Sequence, residues 1–364
     1  MFYEKHGITT YINAHDTYTI YGGSKMAAET LEAMRQAAGS FVDTHQMQRA
    51  LSKKIAKMTR NEAAFFTNGA AGGIILAAAV CMARGDRAAF ARLPKSKGLA
   101  NEIILMRCQR NAYDTNLRTA GARIVEIGDA LGTKDWELEA AITEKTAAVF
   151  FFAASHFQRA ALPLEKVIKI AHMRGVPVIV DAAAQLPPVE NFWAYTEAGA
   201  DLVLFSGGKN IRGPQDSGLI LGRSDLIDDC HKFGAPGHGV CRGNKTSREA
   251  MAGLFTALEI FMNTDHKAEY EKMKKRALAL GDVMVSLGME TELSPHGPVG
   301  QFYPLIYGKC TEPGRAKAIA AEMKARRIYI GVDEYENRIW ISPLNITDKE
   351  ADVVAKELRG VVGK

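Results

Sequence analysis

Asp181 and Lys209 are the residues of this chain best placed to do chemistry together. Asp181 closes the apolar run VPVIVDAAA (176–184), and Lys209 follows the run that opens ADLVLFSGGKNIRGPQDS (200–217). Both runs are rich in β-branched residues, the composition of parallel strands buried on both faces. Side chains at the carboxyl ends of such strands face one crevice. A carboxylate that keeps a heteroaromatic nitrogen protonated, beside a lysine that forms a Schiff base, is the pair that pyridoxal 5'-phosphate chemistry requires. Singly, an aspartate at a strand end is often a helix cap and a lysine in a glycine-rich loop is often solvated. A crossover helix expected over 188–199 has the length to make the two neighbours.

A third group supports the pair. The segment TNGAAGG (67–73) follows a short apolar strand and opens a helix over 74–84. Small residues let backbone approach an anion, and the exposed N–H groups at a helix start favour negative charge. A glycine-rich turn alone is common at helix starts. Ahead of the aspartate and the lysine, Gly69, Ala70 and Ala71 read as a cradle for a cofactor phosphate. No Gly-Lys-Ser/Thr follows, so this is not the loop of nucleotide hydrolases.

The elements that must hold these residues alternate. Strands are expected at 63–66, 103–106, 123–127, 147–152, 177–180, 202–205 and 218–221, the last running antiparallel, with helices between them. This predicts an α/β domain with a mostly parallel seven-stranded sheet. Two helices precede it, at 27–38 and 46–58. A helical stretch, one helix or two, spans 247–287, and its charged patch 272–276 reads as a solvated face. Strand, helix and strand signals then follow at 302–306, 314–326, 328–330 and 338–341, with a final helix at 348–361. The expected organisation is an arm and helix at 1–45, a large domain at 46–246, and a connecting helix with a small C-terminal α+β domain at 247–364. The bend at 234–243 is too glycine-rich for regular structure and is expected to line the site.

Composition narrows the class. The chain has 364 residues, enough for two domains, and is 47% hydrophobic and 24% charged, as ordinary globular proteins are. Its 46 basic and 41 acidic residues leave a net charge of +5, too mild and dispersed to argue for nucleic acid or a membrane surface. No apolar run reaches membrane-spanning length, and the N-terminus carries no secretory pattern. The five cysteines, Cys81, Cys108, Cys230, Cys241 and Cys310, are not spaced as a metal or redox pair. A reducing, cytoplasmic setting and no metal site are expected.

The motifs INAHDTYTIYGGS (12–24), FFTNGAAGG (65–73), RNAYDTNLRTAGA (110–122), VDAAAQLPP (180–188), FSGGKNIRGPQDSGLILG (205–222) and CRGNKTSREAMAGLFTALE (241–259) run in one order through most of the chain. Together they resemble the fold-type I pyridoxal phosphate enzymes with the aspartate aminotransferase-like fold. Within these the chain resembles the L-seryl-tRNA(Sec) selenium transferase group, and there the D-glucosaminate-6-phosphate ammonia-lyases. The resemblance implies that Lys209 carries the cofactor, that Asp181 pairs with the ring nitrogen and that Ala183 packs on one ring face. It also implies that Ala70, Ala71 and Ser206 hold the phosphate. Where relatives place a histidine over the other ring face, this chain has Gln109. Arg212, Arg242 and Lys245 are expected to take an anionic substrate, bidentate arginine suiting carboxylate or phosphate, with Tyr21 of the arm and Arg338 of the small domain joining them. His15 and His45 are candidate proton donors, although a lone histidine is more often an ordinary polar residue.

The activity so implied is α,β-elimination from an anionic β-hydroxy amino acid such as D-glucosaminate 6-phosphate, giving a 2-keto-3-deoxy acid and ammonia. Racemisation, transamination, β-elimination on another anionic amino acid, and selenium transferase-like chemistry share its first step and stay open, as does a non-catalytic binding role on the same fold. A small-molecule substrate, no nucleic acid, no membrane, and a homodimer or larger homo-oligomer are expected.

Overall fold

The computed structural model describes residues 2–129 and 131–363, and the chain divides into two compact units. The larger, residues 26–263, is built on seven strands: β1 (Ala63–Thr67), β2 (Glu102–Met106), β3 (Arg123–Ile127), β4 (Thr146–Phe152), β5 (Val178–Asp181), β6 (Leu202–Ser206) and β7 (Gly218–Gly222). Their order across the sheet is β1-β7-β6-β5-β4-β2-β3. β7 runs antiparallel to both of its neighbours, against the direction of the other six strands. Every residue of β4, β5 and β7 is buried, which is why these strands read as unbroken apolar runs rather than alternating ones.

Helices cover both faces. Gly69–Ala83 buries thirteen of its fifteen residues among Phe65, Leu105, Phe150, Leu204 and Ile220. On the other face Leu164–His172 contributes Val167 and Ile168, and Arg248–Met262 contributes Leu254, Leu258 and Phe261. Helix Ala28–Ala38 meets Arg248–Met262 so closely that a Cβ on Gly253 would stand 2.8 Å from the Met34 side chain. The crossover between β5 and β6 carries a helix at Asn191–Glu197.

The second unit holds residues 1–25 and 264–364. Four antiparallel strands, β8 (Glu290–Ser294), β9 (Leu305–Lys309), β10 (Gly331–Asp333) and β11 (Arg338–Ile341), lie in the order β10-β11-β9-β8. Helices His266–Ser286, Arg315–Ala325 and Asp348–Val362 close over them around Leu280, Met284, Ile319 and Val354. Arg276, within the charged patch, is engaged rather than simply solvated: it donates to Asp348 and to the Pro343 carbonyl.

These units part at 25/26 and 263/264 rather than at the expected 45/46 and 246/247, for two physical reasons. The arm is drawn to the C-terminal unit because Ile12–Asn13 pairs in parallel with Ile328–Tyr329 and the buried Asp16 accepts the Tyr303 hydroxyl at 2.9 Å. The stretch 247–287 is two helices, broken where Asp265 caps the second through the Ala268 N–H. The first of them spends its apolar face on the large sheet.

Candidate active site

The crevice residues are set by one row of the sheet. In the antiparallel register Gly218 stands opposite both Ser206 and Thr67. A Cβ on Gly218 would lie 2.6 Å from the Gly69 carbonyl carbon and 2.9 Å from the Ala70 nitrogen. The missing side chain is therefore what admits the glycine turn onto the strand ends. Gly69 itself sits at φ +63°, the left-handed region that glycine tolerates, and the Thr67 hydroxyl donates to its carbonyl at 2.8 Å.

The helix that this turn opens has no side-chain cap at Asn68 and no acid in its first turn. Elsewhere the chain caps helices with Asp43, Asp86, Ser247, Asp265 and Thr347. The first N–H groups of a helix have no partner within it, so an uncapped start beside the half-buried Ser206 is a preformed anion cradle. Asn244 lies against the same turn, with its side chain 3.5 Å from where a Cβ on Gly72 would stand. That contact carries the exposed Arg242 and Lys245 toward the cradle.

Asp181 lies in the register row Phe152–Asp181–Leu204. One carboxylate oxygen accepts the Ala183 N–H at 2.9 Å; the other has no hydrogen-bond partner among the described residues. Burial pushes its carboxyl above the ordinary range, while the Ala183 N–H and the charge of Lys209 pull the other way. Ala183 is half-buried, and its carbonyl accepts the Ser206 N–H at 3.4 Å, which ties the aspartate turn to the lysine strand.

Lys209, half-buried, follows Gly207 and Gly208 in a tight loop. A Cβ on Gly208 would meet the Gln215 backbone at 2.4 Å, and one on Gly207 the Ser217 hydroxyl at 2.2 Å, so only glycines fit. The Lys209 carbonyl accepts the Arg212 N–H at 2.9 Å in a turn that holds the exposed Arg212 at φ +60°. A left-handed non-glycine residue costs roughly 1–3 kcal/mol and marks a segment whose shape is imposed. Asn210 donates to the Leu186 carbonyl, and its Oδ1 is buried without a hydrogen-bond partner.

Gln109 is placed differently from the expectation. It is fully buried, its amide donating to the Phe152 carbonyl at 3.2 Å and accepting the Phe152 N–H at 3.0 Å. A side chain spent on the backbone in this way offers no face to a ring. Two further candidates, Tyr21 and Arg338, belong to the other unit. Tyr21 packs against Tyr329 and His15. Arg338 pairs with Asp333 and Glu292 and lies over the Tyr307 ring. His15 is enclosed by Tyr18, Tyr21 and Trp340, and burial lowers its pKa to about 4. His45 gives its backbone N–H to the Asp43 cap. The sequence reading missed Gly218, Asn244 and Asn210. A glycine opening the apolar strand GLILG was the one available signal, since strand glycines mark close backbone approach.

Asp181, Lys209, Ser206 and the Gly69–Ala71 turn thus converge at one end of one sheet, and they fit pyridoxal phosphate on the structure's own terms. The cradle is uncapped, the buried carboxylate has an unspent oxygen, and the lysine follows β6, which lies between β5 and β1 in the order of the sheet.

The family model described as SelA, L-seryl-tRNA selenium transferase, matches residues 25–278. D-glucosaminate-6-phosphate ammonia lyase of Salmonella typhimurium (strain 14028s / SGSC 2262) is 35% identical over 262 residues, 71% of this chain and 69% of the relative. A 5'-C-glycyluridine monooxygenase-decarboxylase of Streptomyces sp is 30% identical over 336 residues, 89% of this chain and 82% of the relative. Among solved structures, a D-glucosaminate-6-phosphate ammonia-lyase superposes with a TM-score of 0.86 at 28% identity, covering 100% of this chain and 98% of the other. A serine palmitoyltransferase from S. paucimobilis with bound PLP, at 13% identity and TM-score 0.62 over 96% and 87% of the two chains, shares the fold alone. The architecture is that of the fold-type I pyridoxal phosphate enzymes. No helix of the described residues is long and apolar enough to cross a membrane.

Proposed function

The chain belongs to the L-seryl-tRNA selenium transferase family, and from that membership we propose that it is a pyridoxal phosphate-dependent ammonia-lyase. Its substrate on this reading is an anionic, phosphorylated β-hydroxy amino acid of the D-glucosaminate 6-phosphate kind. The observation that carries the reading is the end-to-end superposition on an ammonia-lyase of that specificity, joined to the convergence of Asp181, Lys209 and the uncapped cradle.

The residues divide the work. The N–H groups of Ala70 and Ala71, with the Ser206 hydroxyl, hold the cofactor phosphate; Lys209 anchors the cofactor through Nζ, and Asp181 keeps a proton on its ring nitrogen. When bound, the cofactor supplies a sink for the electron pair left at the substrate Cα. Lys209 Nζ would take the Cα proton as general base. Arg212, Arg242 and Lys245 fix the substrate's anionic groups, so that the Cα–H bond faces Lys209 rather than solvent. Loss of the β-hydroxyl as water, and return of water on hydrolysis of the enamine, gives a 2-keto-3-deoxy acid and ammonia.

A second reading rests on the relative that aligns along 89% of this chain. On it, the same cofactor serves another reaction of an anionic amino acid. One experiment separates the two. Holoprotein is incubated with D-glucosaminate 6-phosphate, and ammonia, keto acid, carbon dioxide and oxygen uptake are followed. Stoichiometric ammonia and keto acid without oxygen uptake support the lyase. Their absence, with an intact cofactor absorbance band that borohydride bleaches and Lys209→Ala lacks, sinks the substrate assignment and leaves the cofactor assignment standing.

A further inference from the structure

A cluster of cations lies by the start of strand β1, at the end away from the phosphate cradle. Arg49, Lys53 and Lys57 recur at every fourth position of helix Thr44–Met58, so they share one face. None of the three has an ion-pair partner among the described residues. Like charges at this spacing destabilise a helix. The three line a cavity of about 400 Å³ that also takes in Ser52, Glu62, Asp228 and His231.

Its floor carries an unmet hydrogen bond. Ser52 is 3% exposed, and its hydroxyl is buried without a partner, a state that native structures rarely leave unexplained. His231 is held neutral beside it, with its pKa lowered to about 4 by burial and by the charge of Arg49. Two carboxylates complete the lining. One Glu62 oxygen accepts the Ser224 N–H at 2.9 Å, and Asp228 is exposed. Cations with a hydroxyl donor suit a phosphate, and carboxylates on the same wall suit donors such as sugar hydroxyls. The cavity lies at Ala63 and Ala64, where β1 begins, whereas the phosphate cradle follows Thr67, roughly 13 Å further along the strand.

We propose that this cavity binds a small phosphate ester bearing hydroxyl groups, a sugar phosphate in chemical class. Arg49, Lys53 and Lys57 take the phosphate, Ser52 donates to it, and Glu62 and Asp228 accept from the hydroxyls. The site is independent of which reaction the crevice performs.

The test is calorimetric titration of the holoenzyme with glucose 6-phosphate, inorganic phosphate and glucose. Wild type and Arg212→Gln should both bind glucose 6-phosphate saturably and more tightly than inorganic phosphate. The double variant Lys53→Gln/Lys57→Gln should bind it about tenfold more weakly or worse, and Ser52→Ala a few-fold more weakly. Removing like charges relieves repulsion, so the double variant should melt no lower than wild type, and weaker binding cannot be laid to unfolding. Absent binding in wild type, binding undiminished in the double variant, binding abolished by Arg212→Gln, or inorganic phosphate equalling glucose 6-phosphate would each overturn the proposal.

Discussion

Gly218 lies so close beneath Ala70 that a Cβ on it would stand 2.9 Å from the Ala70 nitrogen. The phosphate turn and the strand next to the lysine loop therefore share one contact with no slack. In Gly218→Ala the turn must lift or the strand must shift, an overpacking cost of about 1–3 kcal/mol. Because the turn is the part that holds the phosphate, the expected outcome is a cofactor dissociation constant raised on the order of tenfold to a hundredfold, read by absorbance titration. Lys209 chemistry should be preserved at saturating cofactor.

Asp181→Asn separates catalysis from stability. Turnover should fall on the order of 10²- to 10⁴-fold, the usual size of losing a proton-holding group. The pH dependence has a definite sign. The folded carboxyl ionises above its ordinary 3.8, so its stabilising contribution is complete below that value and is lost as pH rises toward the folded pKa. Asparagine does not titrate. The melting temperature of cofactor-free Asp181→Asn relative to wild type should therefore climb as pH rises above 3.8 and level off once pH has passed the folded pKa. A flat or falling difference contradicts the burial argument.

Gln109→Ala is expected to act on the fold first. It strips the Phe152 N–H of its partner in a fully buried place, a loss of roughly 2–4 kcal/mol. Urea denaturation of the cofactor-free protein measures this directly. If Gln109 instead covers a ring face, cofactor affinity will drop while the urea midpoint holds.

Arg338→Gln tests the other displaced expectation. Its two ion pairs are partly exposed, and with the Tyr307 contact they contribute about 1 kcal/mol together. The melting temperature should fall by a few degrees, and the Michaelis constant should stay within about twofold of wild type. A large rise in that constant at unchanged stability would give Arg338 to the substrate.

The large sheet was legible because burial on both faces writes strands as apolar runs. Arg123–Ile127 and Arg338–Ile341 have the expected bounds, and most other strands of the large sheet gain one residue at an end, where a paired polar residue such as Thr67 or Ser206 belongs to the ladder. Strand Glu290–Ser294 escaped notice because its sequence, ETELS, is polar and only half-buried. The expected strand at 328–330 ends at Tyr329, and a separate strand, Gly331–Asp333, follows it in another sheet, a matter of long-range pairing that local composition does not encode. The same holds at the site. Asp181, Lys209 and the glycine turn announce themselves by residue type, whereas Gln109 and Asn244 owe their places to contacts with distant backbone. A glutamine clamped on Phe152 and a glutamine facing a ring are spelled alike.

The helix Gly69–Ala83, buried along nearly its whole length, has a consequence for how the molecule breathes. Beyond its first turn its amides can exchange with solvent only when the surrounding core opens, so the cradle is seated on the last part of this unit to come apart. The cofactor's phosphate then meets a shape that already exists, and little of its binding free energy goes into ordering the protein. Amide exchange over residues 74–83 should be nearly as slow without cofactor as with it, while the amides of the glycine turn, the lysine loop and the segment around Arg242 quieten on loading.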